Sequence, residues 1–225
     1  MKSFLLIGQS NMAGRGVLES VPKLSNDKIF MFRDGEWLPM EEPLHRDKPE
    51  AGIGLSPAFA DEFVKKTSEV VGLIPCAVGG TALSQWMPGE ELYQNAVHVA
   101  KKAQETSTLA GVLWHQGEGD ITNAELAKSY KERFMLMINT LKAELGISDV
   151  PVIVGELGEF LAKGEGHSHL ETVNCALRDI AATKNFAIAL AKGLVDKGDT
   201  LHFDAASLRE FGKRYFEAYL KIKLL

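Results

Sequence analysis

Five short apolar runs punctuate the chain, at residues 3–7, 72–78, 110–114, 150–155 and 186–191, each bounded by glycine, proline or polar residues. Their apolarity is continuous rather than alternating, the mark of strands covered on both faces of a parallel sheet. Between them lie stretches with apolar positions at helical spacing. Ser56-Pro57 reads as an N-cap followed by proline in the first turn of a helix over 58–66. Thr122 with Glu125, and Ser168 with Glu171, have capping-box spacing ahead of helices over 124–145 and 170–183. Helices over 91–105 and 205–221 complete the set, and Asp34-Gly35 between residues 28–33 and 36–39 predicts a small hairpin. Strands alternating with helices predict a three-layer α/β domain whose five-stranded, mostly parallel sheet has helices on both faces. No repeat, low-complexity tract or charge block marks a linker, so residues 1–225 read as a single domain. The segment 39–55, rich in proline, glycine and charge, reads as an irregular surface excursion.

Charge narrows the partners. With 25 basic and 30 acidic residues there is no general basic surface for nucleic acid or an anionic membrane. No apolar run approaches the ~20 residues that span a bilayer. Gly8-Gln9-Ser10-Asn11 ends the first apolar run too early for a secretory leader, so that run reads as a buried strand. Cys76 and Cys175 both fall inside apolar patterns and are expected to be reduced core thiols, which points to a cytoplasmic enzyme.

Open parallel sheets bind ligands beyond the carboxyl ends of their strands. Reading outward from those ends gives Gly8-Gln9-Ser10-Asn11-Met12, then Gly79-Gly80-Thr81, then His115-Gln116-Gly117-Glu118-Gly119-Asp120, then Glu156, then Asp199-Thr200-Leu201-His202. A nucleophile, a base, an acid and possible oxyanion donors therefore share one edge, the parts of an acyl-transfer site. Taken alone, Ser10 is equally suited to capping a helix. The run lacks the second glycine of a G-x-S-x-G elbow, and Arg15 after Gly14 rules out a phosphate-binding P-loop. Asp199, three residues before His202, is placed to orient its ring. Gln116 and the backbone N–H of Gly79 or Gly80 are candidate oxyanion donors. Glu165, His167 and His169 resemble a metal cluster only superficially and read as a polar loop, so neither metal nor cofactor is expected.

The ordered blocks GQSNMAG from residue 8, Gly79-Gly80-Thr81, WHQGEGD from residue 114, and Asp199-x-x-His202 resemble those of the SGNH hydrolases. They resemble most closely carbohydrate esterase family 6, the branch of acetylxylan esterases and sialate O-acetylesterase-like proteins. The resemblance implies a flavodoxin-like sheet, deacetylation of sugars without a metal, and a small-molecule or oligosaccharide substrate. It implies Ser10 as nucleophile and His202 as base, with Asp199 orienting and Glu118 as a second acid near His202. The Ser10 N–H, Gly79 or Gly80, and Gln116 would form the oxyanion hole. Gln116 stands where most of the superfamily has asparagine. Arg15 and Trp86, just beyond two blocks, are expected to contact sugar. Two rival readings share the scaffold: a lipase or thioesterase for longer acyl chains, and a non-catalytic sugar-binding domain.

Overall fold

The computed structural model describes residues 1–223. In chain order the elements are β1 (Lys2–Gly8), α1 (Ser10–Ala13), β2 (Ile29–Arg33), β3 (Glu36–Pro39), α2 (Ser56–Thr67), β4 (Val71–Pro75) and α3 (Glu91–Gln104). There follow β5 (Thr108–His115), α4 (Ala124–Lys128), α5 (Tyr130–Leu145), β6 (Val152–Gly155), α6 (Leu170–Ala181), β7 (Phe186–Ala189) and α7 (Ala205–Lys223). The three-layer α/β architecture agrees with the sequence reading, but the sheet has seven strands rather than five, in the order β3-β2-β4-β1-β5-β6-β7. The hairpin accounts for the difference. Its first strand pairs parallel with β4 at Ile29↔Val71, Phe30↔Gly72 and Met31↔Leu73, and β3 closes the edge antiparallel. Asp34 (φ 52°) and Gly35 (φ 86°) both take positive φ, as a two-residue hairpin turn requires. The Trp37 ring lies where a side chain on Gly72 would have to be, which fastens β3 across the sheet.

Continuous apolarity in the central strands corresponds to burial on both faces: Phe4 to Ile7, Val112 to Trp114 and Val152 to Val154 are all inaccessible. Successive residues of β5 point opposite ways. Trp114 packs on Phe134 of α5 at 5.4 Å between ring centroids, and His115 packs on Phe211 of α7 at 5.4 Å. Phe4 faces the α7 side, edge-on to Phe59 (4.7 Å), Phe63 (5.3 Å) and Tyr219 (5.3 Å), which ties α2 and α7 to β1.

Several local expectations are corrected. The helix expected over 124–145 is two helices, α4 and α5, broken at Ser129, whose hydroxyl bonds the Glu125 carbonyl. Asn123, not Thr122, caps α4, its side chain accepting from the Glu125 and Leu126 amides. Leu55 and His169, rather than Ser56 and Ser168, precede α2 and α6. The Ser56 hydroxyl turns instead to the Met12 sulfur. Residues 39–55 are irregular as expected, but not a surface excursion. Leu44, His45 and 52–55 are buried, because the segment crosses the end of α1 and pairs Ile53 with Gly16. Cys175 is exposed, since α6 buries the face carrying Val173, Asn174, Leu177 and Ile180. Cys76 is buried, and burial pushes its thiol up to about 12. Among the described residues no helix is long and apolar enough to cross a membrane.

Phe4→Ala should destabilise the protein by about 3–5 kcal/mol, because the aromatic cluster cannot collapse into the space left. Urea unfolding followed by circular dichroism measures this; a loss under about 1 kcal/mol would mean that β1, α2 and α7 are not held through this contact.

Candidate active site

Ser10 is positioned by a close backbone approach. Gly8 ends β1 opposite His115 with φ 128°, and a Cβ there would lie 2.1 Å from the His115 carbonyl oxygen. Only glycine fits. The Gln9 amide donates to that same carbonyl (2.9 Å), and the chain turns at once into α1, whose Met12 and Ala13 amides both donate to Gln9 O (2.9 Å each). Ser10 is therefore the first helical residue, where its own N–H has no intrahelical acceptor.

The loop between β7 and α7 brings the partners. Asp199 Oδ1 accepts from the backbone amides of Leu201 (3.0 Å) and His202 (2.8 Å), and Oδ2 lies 2.7 Å from His202 Nδ1. His202 Nε2 lies 3.1 Å from Ser10 Oγ. A carboxylate only accepts, so it fixes the proton on Nδ1 and leaves the Nε2 lone pair facing the serine hydroxyl. Burial pushes the Asp199 carboxyl up, but the His202 and Leu201 hydrogen bonds outweigh it and hold the group below its ordinary range.

What holds this loop against α1 is Asn11, to which the sequence reading gave no role. Its Oδ1 accepts from the Phe203 amide (3.1 Å), and its Nδ2 donates to Leu201 O (3.2 Å) and to Glu118 Oε1 (2.5 Å). Glu118 is thus not a second acid on His202. Both ring nitrogens of His202 are already engaged by Asp199 and Ser10, while the Glu118 carboxylate is turned toward Asn11 and lies 3.5 Å from His115 Nε2. The signal in the sequence is the GQSN string itself, whose asparagine reaches both loops.

The expected oxyanion donors divide. The Gly79 amide is taken by Asp47 Oδ2 (2.7 Å), leaving Gly80 as the one of the pair with an uncommitted N–H among the described residues. Gln116 is inaccessible, and its Nε2 faces Asp120 Oδ2 (2.7 Å), Gln9 Oε1 (3.2 Å) and Thr81 O (3.3 Å). With only two amide hydrogens, it has none left for a substrate. Nor are Arg15 and Trp86 sugar contacts. Arg15 is buried and paired with buried Asp47 (2.6 Å), and Trp86 is inaccessible, its indole donating to Thr81 Oγ1 (3.1 Å). Asp47 carries no sequence signal because it is one of several charged residues in the irregular segment. His167 bonds the Leu161 carbonyl (2.9 Å), and among the described residues no three His, Cys, Asp or Glu side chains converge as a metal site. Cavities of about 470 Å³ and about 900 Å³ lie elsewhere, and Ser10 lines neither.

A mostly parallel sheet between two helical layers, with a serine just after its first strand and an Asp-x-x-His before its last helix, has the layout of a serine esterase. The chain belongs to the carbohydrate esterase, sialic acid-specific acetylesterase family, whose model matches residues 1–221. That makes it a carboxylic ester hydrolase of the carbohydrate acetylesterase kind. It is 31% identical to a probable carbohydrate esterase of Arabidopsis thaliana, At4g34215, over 96% of this chain and 89% of that one. The crystal structure of that plant protein superposes with a TM-score of 0.89 at 29% identity, covering 98% of each chain. NanS shares the fold at a TM-score of 0.80 and 17% identity, covering 100% of this chain and 97% of its own. A carbohydrate acetylesterase from Xanthomonas citri does so at 0.76 and 20%, with 98% of this chain matching 56% of that one.

Glu118 gives a pH-dependent prediction. Burial pushes its carboxyl up, but the facing His115 ring and the Asn11 amide outweigh burial and hold it below its ordinary range. A carboxyl depressed by folding contributes stability that is complete above its unfolded value, about 4.3, and is lost as pH falls through the lower folded value. The urea stability gap between wild type and Glu118→Gln should be constant near neutrality and narrow below that value. A gap unchanged into acid would show that the ionised carboxylate does not hold the clamp.

Proposed function

We propose that the protein is a serine esterase that removes O-acetyl groups from a sugar through an acetyl-enzyme. Ser10 Oγ attacks the acetyl carbonyl while His202 Nε2 takes its proton, and the carbonyl electrons move onto oxygen. The resulting oxyanion receives hydrogen bonds from the Ser10 and Gly80 amides. Collapse expels the sugar hydroxylate, which takes the proton from His202. Water then attacks the acetyl-serine with the same base, releasing acetate and restoring Ser10. Asp199 keeps the ring in its tautomer and stabilises the imidazolium. The observation that carries this reading is the continuous contact from Asp199 to His202 (2.7 Å) to Ser10 (3.1 Å).

The family description favours an O-acetylated sugar of the sialic acid type over acetylated xylo-oligosaccharide. An acyl group as small as acetyl suits a serine that lines neither large cavity, whereas a long chain needs an apolar tunnel. The free Cys76 and Cys175 suit a reducing, cytoplasmic setting.

Turnover of an acetyl ester should vanish in Ser10→Ala, and a fluorophosphonate should label wild type once, on the peptide holding Ser10. Asp199→Asn should fold normally yet lose most of kcat; in the serine-protease triad the same change costs about 10⁴. A folded Asp199→Asn enzyme within about tenfold of wild type, about 1.4 kcal/mol in barrier, would remove Asp199 from the mechanism. Initial rates on O-acetylated sialic acids and acetylated xylo-oligosaccharides decide the sugar, with the former expected to turn over faster.

A further inference from the structure

A tetrahedral acyl intermediate places a full negative charge on oxygen, and esterase sites stabilise it with donors already aimed at that point. The Ser10 and Gly80 amides supply backbone donors. The side-chain donor expected of Gln116 is absent, because its amide hydrogens go to Asp120, Thr81 and Gln9, and the Asp120 carboxylate fixes which way that amide faces. Asp120 is itself immobile: buried, accepting from the Leu83 amide (3.0 Å) and paired with Arg133 (2.8 Å). A flipped Gln116 would set its carbonyl oxygen against that carboxylate.

The same accounting singles out Gln9, the residue before the nucleophile. Its Oε1 accepts two hydrogen bonds, from Gln116 Nε2 (3.2 Å) and from the Gly119 amide (3.2 Å). Two donors converging on one atom fix the orientation of the amide, since a flip would bring N–H groups against N–H groups. Nε2 therefore points the other way. Among the described residues it donates to no protein atom and it is not sealed from solvent, although Gln9 as a whole is only 5% exposed. Its amide hydrogens are thus held and unspent. Gln9 itself directly precedes Ser10, and its Oε1 is held by the Gly119 amide in the loop after β5 and by Gln116, which also reaches Thr81 O in the loop after β4.

Resting on the esterase reading above, we infer that Gln9 Nε2 is the side-chain donor of the oxyanion hole and that Gln116 is the positioning residue that aims it. Gln9 donates a hydrogen bond without giving up a proton, so the balance of the reaction is unchanged. The chain of support runs from Arg133 through Asp120 and Gln116 to Gln9. It explains why an amide is needed at both positions: one relays orientation, the other contacts the developing charge.

Two substitutions separate donation from support. Gln9→Glu keeps an acceptor oxygen for Gln116 and Gly119 but replaces the outward donor with a carboxylate oxygen. Gln9→Met keeps the side-chain length and removes both functions without adding charge. Kinetics on an acetyl ester should show both variants losing about 10² to 10³ in kcat with KM little changed. A boronic acid that adds to Ser10 as a tetrahedral mimic should bind more weakly by a similar factor. The pH profile of kcat/KM should keep its acid limb in Gln9→Met, because His202 still titrates beside Asp199. If Gln9→Glu retains kcat within about tenfold while Gln9→Met does not, Gln9 only supports the loop and the inference is overturned. Unchanged boronate affinity in both variants overturns it as well. A wild type that neither turns over an acetyl ester nor takes the fluorophosphonate on Ser10 overturns the esterase reading and this inference together; an active wild type with an indifferent Gln9→Glu overturns this inference alone.

Discussion

Ser10 and His202 stand 192 residues apart in the chain, and the buried amide of Asn11 ties together the two segments whose 3.1 Å contact joins them. Helix α1 is a single turn, and the loop before α7 is closed on itself by the Asp196–Phe203 bridge and the Lys197–His202 backbone bond, so each needs a tie to the other. Asn11 joins them by accepting from Phe203 and donating to Leu201, the residues on either side of His202. Bonding both neighbours of the histidine fixes where its ring begins, and Asp199 fixes which way it faces. Phe203 adds an apolar anchor, edge-on to Phe160 (4.8 Å) and tilted against Phe211 (5.1 Å). The polar bond gives direction and the aromatic cluster excludes water that would compete for it.

Behind the nucleophile lies a second buried network, and its stoichiometry decides which groups remain for chemistry. Asp120 accepts from Gln116, the Leu83 amide and Arg133, while Tyr130 donates toward the Gln116 carbonyl oxygens and accepts from Trp114. Buried polar groups are costly unless paired, and these are paired almost completely. Within it Arg133 Nη1 lacks a partner, and beside it so do His115 Nε2 and Glu118 Oε2, the pair next to Asn11. A donor used twice in this network cannot also serve a substrate, which is why counting hydrogens moves the side-chain donor from Gln116 to its neighbour.

The sequence made the fold legible wherever burial alone decides. Of the five strands with continuous apolarity, β4, β1, β5 and β6 are the interior strands for which two-sided burial demands it, β7 is an edge, and the Asp34-Gly35 turn marks the hairpin. Whether that hairpin joined the sheet was hidden, because edge pairing depends on unsatisfied backbone groups of β4 and on the Trp37 ring over Gly72, which are tertiary facts. Helix starts were misplaced by one residue for a similar reason. Ser56 has the chemistry of a cap, but its hydroxyl is used by Met12 instead. Strand-end position and close spacing point to Ser10, Asp199 and His202, and the structure brings these three side chains into contact. Glu118, Gln116, Arg15 and Trp86 were misjudged because residue type reveals capacity for contact, whereas burial and partners decide whether that capacity is already spent.

The two halves of the site solve different problems. Ser10 is 4% exposed and sits in backbone geometry that only Gly8 permits, so its position is set by the core. Asp199 is the opposite, with a side chain 36% exposed on a loop. An exposed carboxylate gains little from a neighbouring charge, since water and salt screen it. Lys197, 3.6 Å from Oδ2, therefore contributes little. The stronger influence is short and local: backbone amides of Leu201 and His202 converge on Oδ1, within a turn that the Thr200 left-handed conformation (φ 58°) closes. These bonds hold the carboxylate ionised and immobile without burying it, so the other oxygen can orient the imidazole at the rim. Rigidity at the nucleophile comes from packing, and rigidity at the acid comes from backbone hydrogen bonds. That division leaves Asp199 and His202 at an open rim while Ser10 keeps the geometry of a closed core.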